Sequence, residues 1–173
     1  MIETPRLTLR RHVLEDFGQL QTIWSDPRVT QFITGEPSTH TESWARLHRY
    51  AGHWALLGYG YFAAVEKETG DYFGDVGFGR FKRGLGDDFD EFDEAGWVLA
   101  PSAQGKGYAI EAMVALHDWH RTQCGPSRTV CVISPDHESS IRVAEKLGYR
   151  AYADRSFPPQ NSKVVRLFER QPH

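Results

Sequence analysis

The run Trp97-Val98-Leu99-Ala100-Pro101-Ser102-Ala103-Gln104-Gly105-Lys106-Gly107-Tyr108-Ala109 carries an apolar segment into a glycine-rich turn and straight on into helical spacing. The N–H groups of a helix's first turn have no intrahelical acceptor, and the helix dipole adds partial positive charge beside them. Such a turn can hold a phosphate. Gly105 and Gly107 remove side chains where an anion would approach the backbone, and Lys106 adds charge. A glycine-rich helix start with no ligand is the competing reading. Two nucleotide motifs are absent. Nothing matches G-x-x-x-x-G-K-[ST], and Gly105-Lys106-Gly107-Tyr108-Ala109-Ile110 lacks the last glycine of G-x-G-x-x-G and sits late in the chain.

Other reactive residue types are more ambiguous. Asp87-Asp88-Phe89-Asp90-Glu91-Phe92-Asp93-Glu94 places six acids in eight residues, without the calcium-loop pattern. It is either a solvated loop or a negative rim that draws in a cation, with Phe89 and Phe92 as apolar walls. His117 and His120 stand at i,i+3 with no third ligand nearby, so no metal site is expected. Cys124 and Cys131 fit no zinc or redox spacing, and Val130-Cys131-Val132-Ile133 reads as core.

The elements around these residues follow from periodicity. Alternation predicts a first strand over 6–11. Helical spacing predicts helices over 14–25, ended by Asp26-Pro27, and 42–57, with Thr41 as N-cap and Trp44, Leu47 and Ala51 as its apolar stripe. Trp44, His48, Tyr50, His53 and Trp54 either wall a site or belong to the core. Strands over 61–66, 71–81 and 94–99 form an antiparallel meander, with a loop around Gly84-Leu85-Gly86 before the third. Beyond Pro101 the pattern becomes helix 105–122, strand 128–133 and helix 139–147 with Gly148 as C-cap. Strands 149–153 and 163–168 follow, with Pro158-Pro159 between them. A single α/β (α+β) domain over 1–173 is expected, with a mixed, mostly antiparallel sheet and helices on both faces.

Composition excludes several classes. The 173 residues are 40% hydrophobic and 25% charged, enough apolar content for one core and too much for a disordered chain. No apolar run approaches the ~20 residues of a membrane span, and the N-terminus does not read as a signal peptide. The expectation is a cytoplasmic protein without a membrane partner. A net charge of −3 argues against nucleic-acid binding, since Arg80, Lys82 and Arg83 make only a small basic cluster.

Three motifs in register resemble the GNAT acetyltransferase superfamily. Gln104-x-x-Gly107-x-Ala109 is similar to its Q/R-x-x-G-x-G/A pyrophosphate loop. Pro135-Asp136-His137-Glu138-Ser139-Ser140 followed by Val143-Ala144-Glu145-Lys146-Leu147-Gly148-Tyr149 is similar to its P-x-N-x-x-S…E-K-L-G-F segment. Glu3-Thr4-Pro5-Arg6-Leu7-x-Leu9-Arg10 is similar to the first strand of the branch containing the ribosomal-protein N-terminal (serine/alanine) acetyltransferases. The resemblance implies acetyl transfer from acetyl-CoA, as co-substrate, to an amine, with no metal. It implies a sheet splayed between its fourth and fifth strands. Trp97, Val98 and Leu99 would offer main-chain groups to the pantetheine arm, with an N–H near Leu99 polarising the thioester carbonyl. Gln104, Gly105, Lys106, Gly107, Tyr108 and Ala109 would hold the pyrophosphate. Glu94, where this branch often carries a glutamate, would take the amine's proton, or else is a solvated strand entrance. Ser140 would assist the departing thiolate, or else bonds nearby backbone.

Two departures from the family pattern stand out. His137 replaces the family's asparagine, so it holds the coenzyme, moves a proton or is a plain surface residue. Glu145, which matches this branch's usual glutamate, falls where many other members carry a tyrosine as general acid, so that mechanism does not carry over. The expected activity is an N-acetyltransferase working by direct attack in a ternary complex. The acceptor is a small-molecule amine or a protein N-terminal amine, and the chain is a monomer or a homodimer. A non-catalytic acyl-CoA-binding sensor with the same fold is the alternative.

Overall fold

The computed structural model describes residues 1–157 and 163–172; Pro158 and Pro159 lie outside the described residues. Eight strands form one sheet: β1 (Ile2–Glu3), β2 (Leu7–Arg10), β3 (Tyr61–Glu66), β4 (Tyr72–Gly79), β5 (Asp93–Leu99), β6 (Thr129–Ile133), β7 (Arg150–Ser156) and β8 (Val164–Arg170). Their spatial order is β1-β2-β3-β4-β5-β6-β8-β7, and every neighbouring pair is antiparallel except β5 and β6. Strand β1 was not expected. It pairs Ile2 with Leu9 and shifts the strand numbering by one, so the expected fourth and fifth strands are β5 and β6.

The helices are α1 (Phe17–Trp24), α2 (Pro27–Thr30), α3 (His40–Leu57), α4 (Asp87–Asp90), α5 (Tyr108–Cys124) and α6 (Glu138–Lys146). Alternation along the strands sends side chains to cores on both faces, with a third cluster of Leu85, Phe89, Val130, Val165 and Leu167 around β6 and β8. Phe62, Ala64, Val76 and Phe78 pack with Ala112, Met113 and Leu116 of α5 and with Ala144 and Leu147 on the α6 side. Tyr61 and Ala63 face the other way, onto Leu20, Ile23 and Trp24 of α1 and Leu47 and Tyr50 of α3. The helices therefore cover both faces, as expected.

The structure corrects several details. Asp26 does not simply end α1. It N-caps the four-residue α2 by accepting from the Arg28 amide at 2.8 Å. The cap of α3 is Thr39 rather than Thr41, in a capping box with Glu42. The inward stripe of α3 is Ser43, Arg46, Leu47, Tyr50 and His53, whereas Trp44 is 40% exposed and rests on Phe17 and His48 at the surface. Residues 87–90 are a helical turn rather than loop. Gly148, at φ 86°, stops α6 as expected.

Candidate active site

The glycine-rich turn is built by backbone conformation. After β5, Pro101–Ala103 make one 3-10 turn. Gln104 (φ −69°, ψ 151°) and Gly105 (φ 76°) then take type II turn geometry. Gly107 (φ 80°) opens α5. Both glycines occupy the left-handed region that a Cβ disfavours. A Cβ on Gly105 would meet nothing within 4 Å, and one on Gly107 only Arg6 Nη2 at 3.6 Å, so the space above the turn is open. Arg6 donates to the Lys106 carbonyl at 3.0 Å and pairs with Glu111 at 2.6 Å, tying the turn to the N-terminal strand. The Gln104 amide donates to the Leu99 carbonyl at 3.1 Å. Among the described residues, none of the N–H groups of 105–110 finds a backbone acceptor in hydrogen-bonding geometry. Six donors in sequence at a helix N-terminus fit an anionic group such as a pyrophosphate.

The sheet opens beside this turn. Strand β5 pairs with β4 along its length but meets β6 only at Asp93↔Thr129 and Glu94↔Val130. Residues 95–99 therefore present a free edge, and so do 131–133. A cavity of about 540 Å³ fills the gap. Its lining brings together Glu94, Trp97, Val98, His137 and Ser140, while Leu99 and the turn residues 104–109 lie beyond it at the end of β5. The Trp97 indole donates to Ser140 Oγ at 3.1 Å, bridging the splay from β5 to the first turn of α6 and leaving the Ser140 proton free to donate. The His137 ring stacks on Phe32 at 4.5 Å and 16°. Burial, and then the Lys163 charge, lower its pKa, so it is neutral at neutral pH. Glu145 is exposed on α6.

On the α1/α3 side the cavity joins the expected Glu94 to two residues that sequence reading did not assign to the site, Tyr61 and Arg46. Glu94 is 5% exposed, and each of its oxygens accepts from Arg83 at 2.7 Å. Tyr61 crosses β5 at Gly96, where a Cβ would stand 2.8 Å from Tyr61 Cζ and closer still to the hydroxyl. Gly77 pairs with Gly96 across β4 and β5, and this glycine pair makes the close approach possible. Burial, and then the Glu94 charge, push the Tyr61 phenol far up, so it stays protonated. Arg46 and Tyr50 of α3 also line the cavity. A glycine in a strand was the available signal for Tyr61. No sequence signal marked Arg46.

The acidic run is not a negative rim. Asp88 pairs with Arg155, Glu91 with Lys82 and Glu94 with Arg83. Asp90 accepts from the amides of Arg83, Gly84 and Leu85, and Asp93 is bonded by Tyr59, Arg80 and His120. These carboxylates build the scaffold under Glu94. His120 is thus spent on Asp93, and His117 sits between the Tyr149 hydroxyl and Arg170. Among the described residues no group of three metal-ligating side chains converges. Cys131 lines the cavity but is 1% exposed, and burial pushes its thiol well above the ordinary range. No helix among the described residues is long and apolar enough to cross a membrane.

Comparison with known proteins agrees with this geometry. The family model for the acetyltransferase (GNAT) domain matches residues 6–150. The chain is 30% identical over 148 residues to the uncharacterized N-acetyltransferase p20 of Bacillus licheniformis, covering 85% of this chain and 80% of that protein. A solved Bordetella pertussis structure assigned to the GnaT family superposes with a TM-score of 0.86 at 32% identity, covering 98% of each chain. The fold is also shared, at a TM-score of 0.73 and 20% identity, with a GNAT phosphinothricin acetyltransferase from Sinorhizobium meliloti solved with acetyl-CoA. That match covers 96% of this chain and 88% of the other. A left-handed glycine turn with six free amides, set at the mouth of a splayed sheet, is thus found in a chain that belongs to the GNAT acetyltransferase family.

Proposed function

We propose that the protein transfers an acetyl group from acetyl-CoA to a primary amine by direct attack within a ternary complex. The observation that carries this reading is the continuity between the free edge of β5, open over residues 95–99, and the six unpaired amides of 105–110. An extended arm ending in a pyrophosphate fits that path, with main-chain groups of Trp97, Val98 and Leu99 alongside it and Gln104, Gly105, Lys106, Gly107, Tyr108 and Ala109 around its phosphates. Acetyl-CoA supplies the activated acyl group, and the chain's own residues handle position and protons.

Glu94 is the base for the amine. A carboxylate has about four lone-pair sites, and Arg83 uses one on each oxygen, so Glu94 keeps capacity to accept the amine's proton directly or through water. Tyr61 and Ser140 carry hydroxyl protons at the same cavity, Tyr61 from the α3 side and Ser140 from α6. In this reading both donate as negative charge moves from the attacked carbonyl to the sulfur. Neutral His137, flat against Phe32, lines the coenzyme channel in place of an asparagine. A covalent route through Cys131 is disfavoured, because its buried thiol does not supply a thiolate. The sensor alternative draws on one observation, the occupation of both Glu94 oxygens by Arg83.

Release of free thiol from acetyl-CoA, followed with DTNB across an amine panel, separates the two readings. Amine-dependent release that falls in Glu94→Gln and Ser140→Ala is expected of the transferase. Coenzyme binding without release on any amine is expected of the sensor.

A further inference from the structure

Arg46 is a buried cation without a carboxylate. It is 9% exposed, lies on the inward face of α3 and lines the cavity. Its guanidinium rests on the Trp24 ring, 3.4 Å from the centroid, and Nη1 donates to Ser38 Oγ at 3.2 Å. Nε finds no acceptor among the described residues. The carboxylate behind Trp24, Asp75, has both oxygens engaged by other groups and makes no ion pair with Arg46 among the described residues. Its Oδ1 takes His12 and Tyr72, and its Oδ2 takes the Trp24 indole at 2.8 Å. A guanidinium stays ionised in a protein, and an ionised group out of water requires a counter-charge.

The surroundings strengthen the point. Arg49, one turn along α3, and Lys163, whose Nζ donates to the Ile33 carbonyl at 3.3 Å, also line the cavity, and neither has a carboxylate within ion-pair distance among the described residues. The sequence of 158–162 contains no acid. Among the described residues the cavity has one carboxylate, Glu94, and it belongs to Arg83. Three cations therefore face a space lined on its apolar side by Phe32 and Ile33.

We infer that the acceptor amine also carries an anionic oxyacid group, a carboxylate or a phosphonate, and that Arg46, aided by Arg49 and Lys163, binds it. The planar fork of Arg46 matches such a group in two-point geometry, and the ligand supplies the missing counter-charge. The amine at the other end then lies toward Glu94. Polyamines and other purely cationic amines are disfavoured by the same charges. This assignment rests on the acetyltransferase reading and names its acceptor class.

The test is thiol release with acetyl-CoA on matched acceptors: L-amino acids, their amides, their decarboxylated amines, aminoalkylphosphonates and spermidine. The acid members are expected to exceed their amides in kcat/KM by tenfold or more. Comparing carboxylates with phosphonates tells which oxyacid is preferred. In Arg46→Gln the acid-to-amide ratio falls about 10- to 150-fold, the span of a charged hydrogen bond, mostly through KM. Arg46→Lys keeps the charge without the fork and falls between. Calorimetric affinity for acetyl-CoA, unchanged in both variants, reports that they are folded, and exposed Arg49→Gln provides a second variant with a smaller fall. Turnover confined to amides or spermidine, or a ratio unmoved by Arg46→Gln, overturns this assignment and leaves the transferase standing. Acetyl-CoA binding with no turnover on any acceptor overturns both.

Discussion

Replacing Gly96 by alanine tests whether Tyr61 is seated where the reacting groups meet. The new Cβ would stand 2.8 Å from Tyr61 Cζ, against ~3.5–4.0 Å for an ordinary carbon contact. The ring has no easy escape. It stacks on Tyr50 at 5.0 Å and 4° and meets the edge of Phe81 at 5.7 Å. Overpacking of this kind costs about 1–3 kcal/mol. At about 2–4 °C per kcal/mol for a chain of this size, the melting temperature should fall by roughly 2–12 °C. Tyr61→Phe should behave differently. The Tyr61 hydroxyl has no hydrogen-bond partner among the described residues, so its removal should change stability by less than about 1 kcal/mol. Thiol release should nonetheless drop, by about 10²-fold if the phenol donates to developing charge. In the Tyr61→Phe background the cost of Gly96→Ala should shrink, with a coupling of about 0.5–3 kcal/mol. Thermal melts of the four proteins and their turnover rates complete the cycle. Gly96→Ala melting within a degree of wild type, or costing the same in both backgrounds, would refute the placement of the hydroxyl over Gly96.

Further outcomes follow from other parts of the site. Gly107→Val should cost at least about 1–2 kcal/mol, because φ is 80° there, and should weaken acetyl-CoA binding measured by calorimetry; unchanged affinity would mean the turn is not the phosphate site. Glu94→Gln should lower kcat by about 10²–10⁴-fold. It should also destabilise by about 1–3 kcal/mol, less than for a fully buried pair because the Arg83 side chain is 28% exposed. His117 should make the protein acid-sensitive. Burial, then Arg170 and His120, lower its pKa to about 3, so the unfolded chain binds its proton first. Stability should be full above about pH 6.5, the unfolded value, and should decline as pH falls toward 3. Asp93, held at about 2 despite burial by hydrogen bonds from His120, Tyr59 and Arg80, should add a loss of about 2 kcal/mol between about pH 4 and 2. His117→Gln should flatten the upper part of that decline in melts taken across the pH range.

The turn at 104–109 was legible because a left-handed backbone leaves its mark as glycine, and the helix it opens has a clear apolar period. The strands from 61 onward were legible for the same kind of reason: their alternation sorts side chains between cores on the two faces of the sheet. The α3 stripe was not. Hydrophobic spacing selects Trp44, Leu47 and Ala51, yet the face that turns inward carries Ser43, Arg46, Tyr50 and His53, because it looks onto a polar cavity as well as a core. Arg46 and Tyr61 also lie far in sequence from the turn at 104–109, and Tyr61 reaches the site only through the register of β3, β4 and β5. The acidic run misled for a related reason. Its local composition suggests a free negative rim, but partners such as Arg155 on β7 arrive from the far end of the chain. Glu94 lines the cavity, and its pairing with Arg83 is visible only in three dimensions.

Amide hydrogen exchange with and without saturating acetyl-CoA tests the coenzyme path along β5 and the turn. Exchange should slow in two places, the free β5 edge at 95–99 and the turn at 105–110, where N–H groups without protein acceptors acquire them on binding. Protection that leaves both segments unchanged while the coenzyme is bound would contradict it.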